Sequence, residues 1–312
     1  MVHPGTRPRR PLAPVAFRPP RALGVITGGF LAAWAAAVGA LALTIALGSA
    51  AEFKTFVAWV AVVALLGIAV LFTSWTYCLA TLTYVVERDT LTIRWGMRRV
   101  VIPIDTILRM VPGRTLDEAK VSGINWWGCH VGSADVKRIG YTLFYSTHSS
   151  PDELLYVHTT QESYALTVVD QAAFAEEVQA RAAMGAVMEH VQRSTASGVA
   201  AFPFWRDRVA IGATMAGALM TALLCGYVFA RYPELPEVVR LNFPALGGVT
   251  RVGDKTELLR LAYLGAGVMA LNTTLGVIVH ARERAAGIWL LASTSMLQLV
   301  LIAAAVAAME RV

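Results

Sequence analysis

Charge is what this chain has least of. Only 15% of its 312 residues are charged, against roughly 25% in ordinary soluble domains, and 56% are hydrophobic. That balance argues against a wholly soluble globule. Mean hydropathy is +0.56 although long polar stretches are present, so the apolar residues must be gathered in blocks. Cysteine is equally scarce. Cys78, Cys129 and Cys225 lie far apart with no CxxC spacing, which excludes a disulfide framework and a zinc site. They read as small hydrophobes in a reducing compartment. No H-E-x-x-H, G-x-S-x-G or P-loop pattern occurs. Acidic residues are missing from the first 21 positions, which hold Arg7, Arg9, Arg10, Arg18 and Arg21. Setting those five aside leaves 22 basic against 21 acidic residues. The net +6 is therefore a property of the tail, and a basic tail beside an apolar block reads as a cytoplasmic orientation signal rather than a nucleic-acid arm. Pro4, Pro8, Pro11, Pro14, Pro19 and Pro20 make this tail, residues 1–21, extended or disordered rather than packed.

The blocks themselves come next. Ala22 to Leu47 carries no charge and exceeds the roughly 20 residues a helix needs to cross the hydrocarbon core. It is too long for the apolar part of a signal peptide. A short connection through Glu52 and Lys54 leads to a second uncharged block, Phe56 to Leu79, so 22–81 reads as an antiparallel hairpin of two spans. Three more blocks follow at Val209 to Ala230, Leu258 to Val279 and Ala285 to Met309. Five spans place the termini on opposite sides. Arg206, Arg208, Arg282 and Arg284 favour an inside amino terminus. The loop 231–257 then lies outside. Its Arg231, Arg240, Arg251 and Lys255 count against that orientation and are balanced by Glu234, Glu237, Asp254 and Glu257.

Between the second and third spans, from about 82 to 207, charge returns and the apolar residues alternate. Twelve basic and 14 acidic residues lie between 81 and 207, so the segment lacks the positive field that nucleic acid requires. Tyr84 to Val86, Leu91 to Trp95 and Val100 to Pro103 read as a strand meander. Tyr141 to Ser146, Leu154 to Thr159 and Tyr164 to Val168 repeat the pattern. Asp170 caps a helix in which Ala173, Phe174, Val178 and Ala182 fall at helical spacing. Many strands followed by one helix is an α+β plan.

These features resemble the bacterial pleckstrin-homology-like domains found on membrane proteins. The residues that carry the resemblance are the hairpin Tyr84 to Trp95, the step Ile102 to Ile107, the glycines Gly123, Gly128 and Gly132, and the ending Tyr164 to Asp170 before Phe174. It covers roughly 82–184 and implies a small bent antiparallel sheet closed by a C-terminal helix, with no assigned catalytic residues. A second resemblance lies in the outer loop. Leu235-Pro236, then Asn242-Phe243, then Gly247-Gly248 are similar to the loop of SdpI-type membrane proteins, with Leu241-Asn242 where that family often has a His before its aromatic residue. Pro233, Pro236 and Pro244 make this loop compact and rigid.

Candidate chemistry is thin. Cys129-His130, with His148 and His158, assembles on paper into a nucleophile and base or a metal cluster, but neither spacing is met. Arg94, Arg98, Arg99, Arg109 and Arg114 are the candidates for holding a partner or an anionic headgroup. Their alternative is a solvated strand face, favoured by Glu87, Asp89 and Asp105 among the same strands. Trp126-Trp127 reads either as an interfacial or partner-gripping pair or as one core and one rim residue. Within the spans, Asn272 and Gln298 are the notable polar residues, and no carboxylate sits where a proton relay needs one. Gly28, Gly29, Gly212 and Gly265 offer small faces for helix packing.

The expected molecule is a non-enzymatic, multi-pass protein of the bacterial cytoplasmic (inner) membrane. Five α-helical spans carry a cytoplasmic α+β pleckstrin-homology-like domain at 82–207, and the three spans of 208–312 follow it. The expected role is scaffold, assembly factor or regulatory subunit acting by protein binding and, less so, by headgroup binding. The rival is an SdpI-like immunity or signalling protein whose outer loop senses an extracellular peptide. A lipid bilayer and a membrane-protein partner or second copy are the expected partners, with no cofactor, metal or nucleic acid.

Overall fold

The computed structural model describes residues 13–117, 119–188, 190–243 and 249–309, with backbone alone at 240–243 and 249–252. The tail residues Arg7, Arg9 and Arg10, and the loop residues Pro244, Gly247 and Gly248, lie outside the described residues, as do the side chains of Asn242 and Phe243. The chain divides into two compact units, Met1–Trp34 with Ile68–Ala200, and Ala35–Gly67 with Ala201–Val312.

In chain order the elements begin with β1 (Val15–Phe17), α1 (Ala22–Gly48) and α2 (Phe53–Ala80). Strands β2 (Thr83–Val86), β3 (Thr90–Trp95), β4 (Arg98–Pro103) and β5 (Ile107–Pro112) follow. Then come β6 (Ser122–Trp126), β7 (Cys129–Val136), β8 (Gly140–Ser146), β9 (Leu154–Thr159) and β10 (Ser163–Thr167). Helix α3 (Gln171–Ala183) and strand β11 (Arg193–Ala196) complete the first unit.

Two sheets build that unit, one in the order β1-β2-β3-β4-β11 and one in the order β5-β9-β10-β8-β7-β6. The expected antiparallel sheet needs one correction. β10 slots between β9 and β8, antiparallel to the first and parallel to the second. The central strands β9 and β10 of the six-stranded sheet are covered on both faces, which is why they are buried at successive positions rather than alternating with solvent. Tyr145, Leu155, Val157 and Leu166 join one core with Tyr84, Ile93 and Phe174. Phe144, Leu154, Tyr156 and Ala165 join another beneath Val111 and Leu116.

Two further expectations are corrected here. The tail was expected to be unpacked, yet Val15–Phe17 pairs with β2 as an outer strand. Phe17 meets Phe174 edge-on at 5.0 Å, and the Ala13 carbonyl accepts from Arg181 Nη2 at 3.0 Å. Prolines limit ladder donors but are tolerated beside an edge strand. In α3, capped by Asp170 through the Ala173 amide at 2.9 Å, the inward face is Phe174, Val178 and Arg181. Ala173 and Ala182 are exposed. Arg181 fills the place because its head is held by Glu177 and by the Ala13 carbonyl.

Near the first unit's helices, Gly28 of α1 lies against Thr76 of α2 and Gly24 against Leu79. In the second unit Gly39 faces Leu65, which a Cβ added there would meet at 3.3 Å. Position falls along α2 as it rises along α1, the mark of an antiparallel hairpin. The second unit continues with α4 (Arg208–Arg231), the hairpin β12 (Val238–Phe243) and β13 (Val249–Asp254), α5 (Thr256–His280) and α6 (Arg284–Met309). Among the described residues, five helices are long and apolar enough to cross a membrane, and each expected span falls within one of them. α6 packs against both α4 and α5. Gln298, fully buried, donates from Nε2 to the Gly265 carbonyl at 2.7 Å, and Asn272 donates to Thr294 at 3.2 Å.

Candidate functional site

The β3–β4 connection is a two-residue turn, Gly96-Met97, with Gly96 at φ +56°. A side chain there would be strained and would also strike Cys78. This tight turn fixes the register Arg94↔Arg99 and Trp95↔Arg98. On the other side of β4, β11 pairs Thr195 with Arg99 and Arg193 with Val101. Because side chains alternate across a sheet, Arg94, Arg99, Thr195 and Arg193 share one face. Arg98 falls on the other, where it bonds the Tyr145 hydroxyl; burial raises the Tyr145 pKa and Arg98 works against that rise.

Together Arg94, Arg98, Arg99 and Thr195 to Ser197 line a groove of about 410 Å3. Ser197 closes its end, its amide and hydroxyl both donating to the Met97 carbonyl at 2.9 and 3.1 Å. All three arginines are exposed, and among the described residues none pairs with a carboxylate. Like charges directly opposite in an antiparallel ladder are destabilising, so Arg94 facing Arg99 is a site that an anion would relieve. β11 is also the outermost strand of its sheet, with backbone groups open to a further strand.

The other candidate arginines are elsewhere. Arg109, on β5, donates to the Arg138 carbonyl at 3.3 Å, and Arg114 sits exposed in the turn Gly113–Thr115. The two indoles part company. Trp126 is half-buried, with ring centroids 5.7 Å from Phe72 and 5.8 Å from Trp75, and its Nε1 donates to the Gly24 carbonyl at 3.3 Å. Trp127 is 80% exposed in the β6–β7 turn. The next residue, Gly128, has φ +84°, and a Cβ added at Gly128 or at Gly24 would strike the other's backbone, so both glycines are needed for the approach of turn to helix.

Cys129 and His130 are consecutive in β7 and so point to opposite faces, which separates nucleophile from base. Burial, with a smaller contribution from Cys78, pushes the Cys129 thiol up to about 12. Burial, then His148, lowers the His130 pKa. His148 instead meets Glu153 at 3.2 Å, and His158 Nδ1 lies 2.9 Å from the Ser163 hydroxyl.

Of the small-residue positions, Gly28 faces Thr76 and Trp126, and Gly265 lies 2.6 Å from Leu224 by the measure of an added Cβ. Gly29 and Gly212 face open space. In the 231–257 loop, Leu235 is half-buried beside Val239 and Leu258, and Pro236 is exposed. Its charges pair locally, Arg231 with Glu234 at 2.8 Å and Lys255 with Glu237 at 2.7 Å.

Sequence reasoning missed a cluster at the helix ends. Asp207 caps α4 through the Val209 and Ala210 amides at 3.0 and 3.4 Å. It also accepts from His280 Nε2 at 3.0 Å and from Arg284 Nε at 2.5 Å. The only sequence signal was that each of these three residues borders an apolar block.

Residues 82–182 match the family model of the bacterial PH domain. The match covers the strands from β2 to β10 and most of α3, and this segment is called the PH-like domain below. No curated protein and no solved structure matches the chain. β1 and β11 fall outside the matched segment, so the groove joins PH-like strands to a strand that follows them.

Proposed function

We propose that this is a non-catalytic, multi-pass protein of the bacterial cytoplasmic membrane whose PH-like domain faces the cytoplasm and docks an acidic segment of a partner protein, as a scaffold, assembly factor or regulatory subunit. The observation that supports this reading is the groove beside β11, where Arg94 stands opposite Arg99 and, among the described residues, no carboxylate pairs them. An acidic extended segment supplies both missing complements. Its carboxylates take the guanidinium forks, and its backbone adds a strand to the open edge. A lipid headgroup would meet the charge but leave the strand edge unused, which places protein ahead of lipid as the ligand.

The test is extraction of the full-length protein from its native membrane in gentle detergent, with mass determination and identification of what accompanies it. A partner recovered in fixed stoichiometry, lost from Arg94→Gln/Arg98→Gln/Arg99→Gln and retained by Arg109→Gln/Arg114→Gln, supports the reading. Arg94→Gln alone should be no less stable than wild type, since removing one of two like charges opposite one another returns about 0.2–1 kcal/mol, whereas the triple variant also loses the Arg98–Tyr145 hydrogen bond. A protein that emerges alone, or a partner that stays with the triple variant, overturns it.

A further inference from the structure

The arginines that mark the ends of the later helices do more than mark them. In the second unit, Arg206 and Arg208 at the start of α4, Arg282 in the α5–α6 turn and Arg284 at the start of α6 converge with Asp207 and His280 on a pocket of about 620 Å3. Four guanidiniums face one carboxylate, and that carboxylate is fully used. Its oxygens accept from two amides of α4, from His280 and twice from Arg284. Arg206, Arg208 and Arg282 are exposed, and among the described residues none of them has an acidic partner. Glu283, the other acid in the turn, is exposed and forms no ion pair among the described residues. A preference for positive charge on one side of a membrane accounts for arginines near span ends. It does not account for their convergence on one cavity around a saturated aspartate.

Two exposed indoles lie on the segments that carry these arginines, and neither lines the pocket. Trp205 adjoins Arg206 in sequence and is 56% exposed, and Trp289 is 74% exposed on α6. Five residues beyond Arg284, Trp289 lies roughly 7.5 Å further along the helix. Exposed indoles near the ends of apolar helices are placed as membrane-interface residues are, with the ring at headgroup level.

We infer that this pocket binds the phosphate of an anionic phospholipid headgroup. Arg206, Arg208 and Arg282 donate to the phosphate oxygens, and the Asp207–Arg284–His280 cluster holds the three helix ends that carry them. A pocket of this size admits a headgroup with room for ordered water. Guanidinium forks match phosphate oxygens in pairs, and basic pockets between spanning helices select anionic lipids by this chemistry. The inference concerns a different unit from the groove above and stands whether or not that groove binds a partner.

The test uses delipidated full-length protein in a neutral detergent. Phosphatidylglycerol, phosphatidylcholine and inorganic phosphate are added separately, with the melting midpoint and the lipid retained in native mass spectrometry as readouts. Phosphatidylglycerol should be retained at least about tenfold over phosphatidylcholine, and Arg206→Gln/Arg208→Gln/Arg282→Gln should lose that preference. These three side chains are exposed and unpaired, so the variant should melt like wild type in phosphatidylcholine. If it does not, Arg282→Gln alone, in the turn, is measured for the same loss. Equal retention of the two lipids, or an unchanged preference in a folded variant, overturns the inference. A full shift with inorganic phosphate in the absence of lipid overturns the lipid as source.

Discussion

At the scale of single residues, the most connected side chain in the described structure outside the PH-like domain is Asp207. Hydrogen bonds from Arg284 and His280, helped by the α4 amides, hold its carboxyl well below the usual carboxylate range. A group with a depressed folded pKa contributes stability that is complete above its unfolded pKa and disappears as pH falls toward the folded value. Asp207→Asn should therefore melt several degrees below wild type at pH 7 and at pH 5. The gap should begin to narrow below about pH 4, the range of the unfolded carboxyl, and go on shrinking as pH falls toward the much lower folded value. Melting midpoints of both proteins in one detergent at pH 7, 5 and 3 check this. A gap at pH 3 no smaller than at pH 7 would mean that Asp207 acts by shape and not by charge. Residue-scale legibility was uneven for the same reason that makes Asp207 informative. Its partners are 73 and 77 positions away, and no local pattern announces a contact between the ends of three helices. The arginines of the groove were legible because a two-residue turn brings Arg94, Arg98 and Arg99 together within one hairpin. Trp126 and Trp127 were left open by the sequence. What divides them is that β6 ends at Trp126 and the turn begins at Trp127.

Among the elements, the strand that the sequence hid is the one whose removal is most informative. β1 is three residues long and set among prolines, too short for an alternation to register and in a composition that reads as unstructured. Yet it pairs with β2 residue for residue from Val15↔Val86 to Phe17↔Tyr84. Phe17→Ala should lower stability by about 1–3 kcal/mol, less than for a fully buried phenylalanine because Phe17 is half-buried. Deleting residues 13–17 should speed amide exchange in β2 and in the Arg181 end of α3 while leaving β9 and β10 protected. Hydrogen exchange read by mass spectrometry distinguishes these segments, and unchanged exchange in β2 would show that β1 adds nothing to the sheet. The elements that were legible carry strong periodicity, as in β3, or long apolar runs, as in the five helices. β11 was not, since Arg193-Ser194-Thr195-Ala196 is polar and owes its strand conformation to pairing with β4 rather than to its own propensity. The parallel β8–β10 pair was likewise invisible, because both strands are apolar on both faces and strand order is not a property of either one.

For the whole molecule, the number of apolar helices is odd, and that parity carries the topology. If all five helices span, the two termini lie on opposite sides, and the connections at 49–52 and 231–257 share a side that the PH-like domain and the α5–α6 turn do not. Arg206, Arg208, Arg282 and Arg284 gather on one of those sides, while Arg231 and Lys255 on the other are each paired with a glutamate, so the cluster of arginines lies on the side proposed to be cytoplasmic. Single cysteines at Glu52, Pro236, Val191 and Glu283 test this, placed in a chain whose Cys78, Cys129 and Cys225 are replaced by alanine. All four positions are described and none is buried. In intact cells stripped of their outer barrier, a membrane-impermeant thiol reagent should label Glu52→Cys and Pro236→Cys at once. Val191→Cys and Glu283→Cys should react only after the membrane is opened. The reverse pattern would invert the orientation and put the arginine groove and the helix-end pocket outside the cell, against both binding readings. Labelling of Glu52→Cys and Glu283→Cys from the same side would mean that one apolar helix does not cross. The helix to re-examine would then be α5, whose mean hydropathy of 1.6 is the lowest of the five.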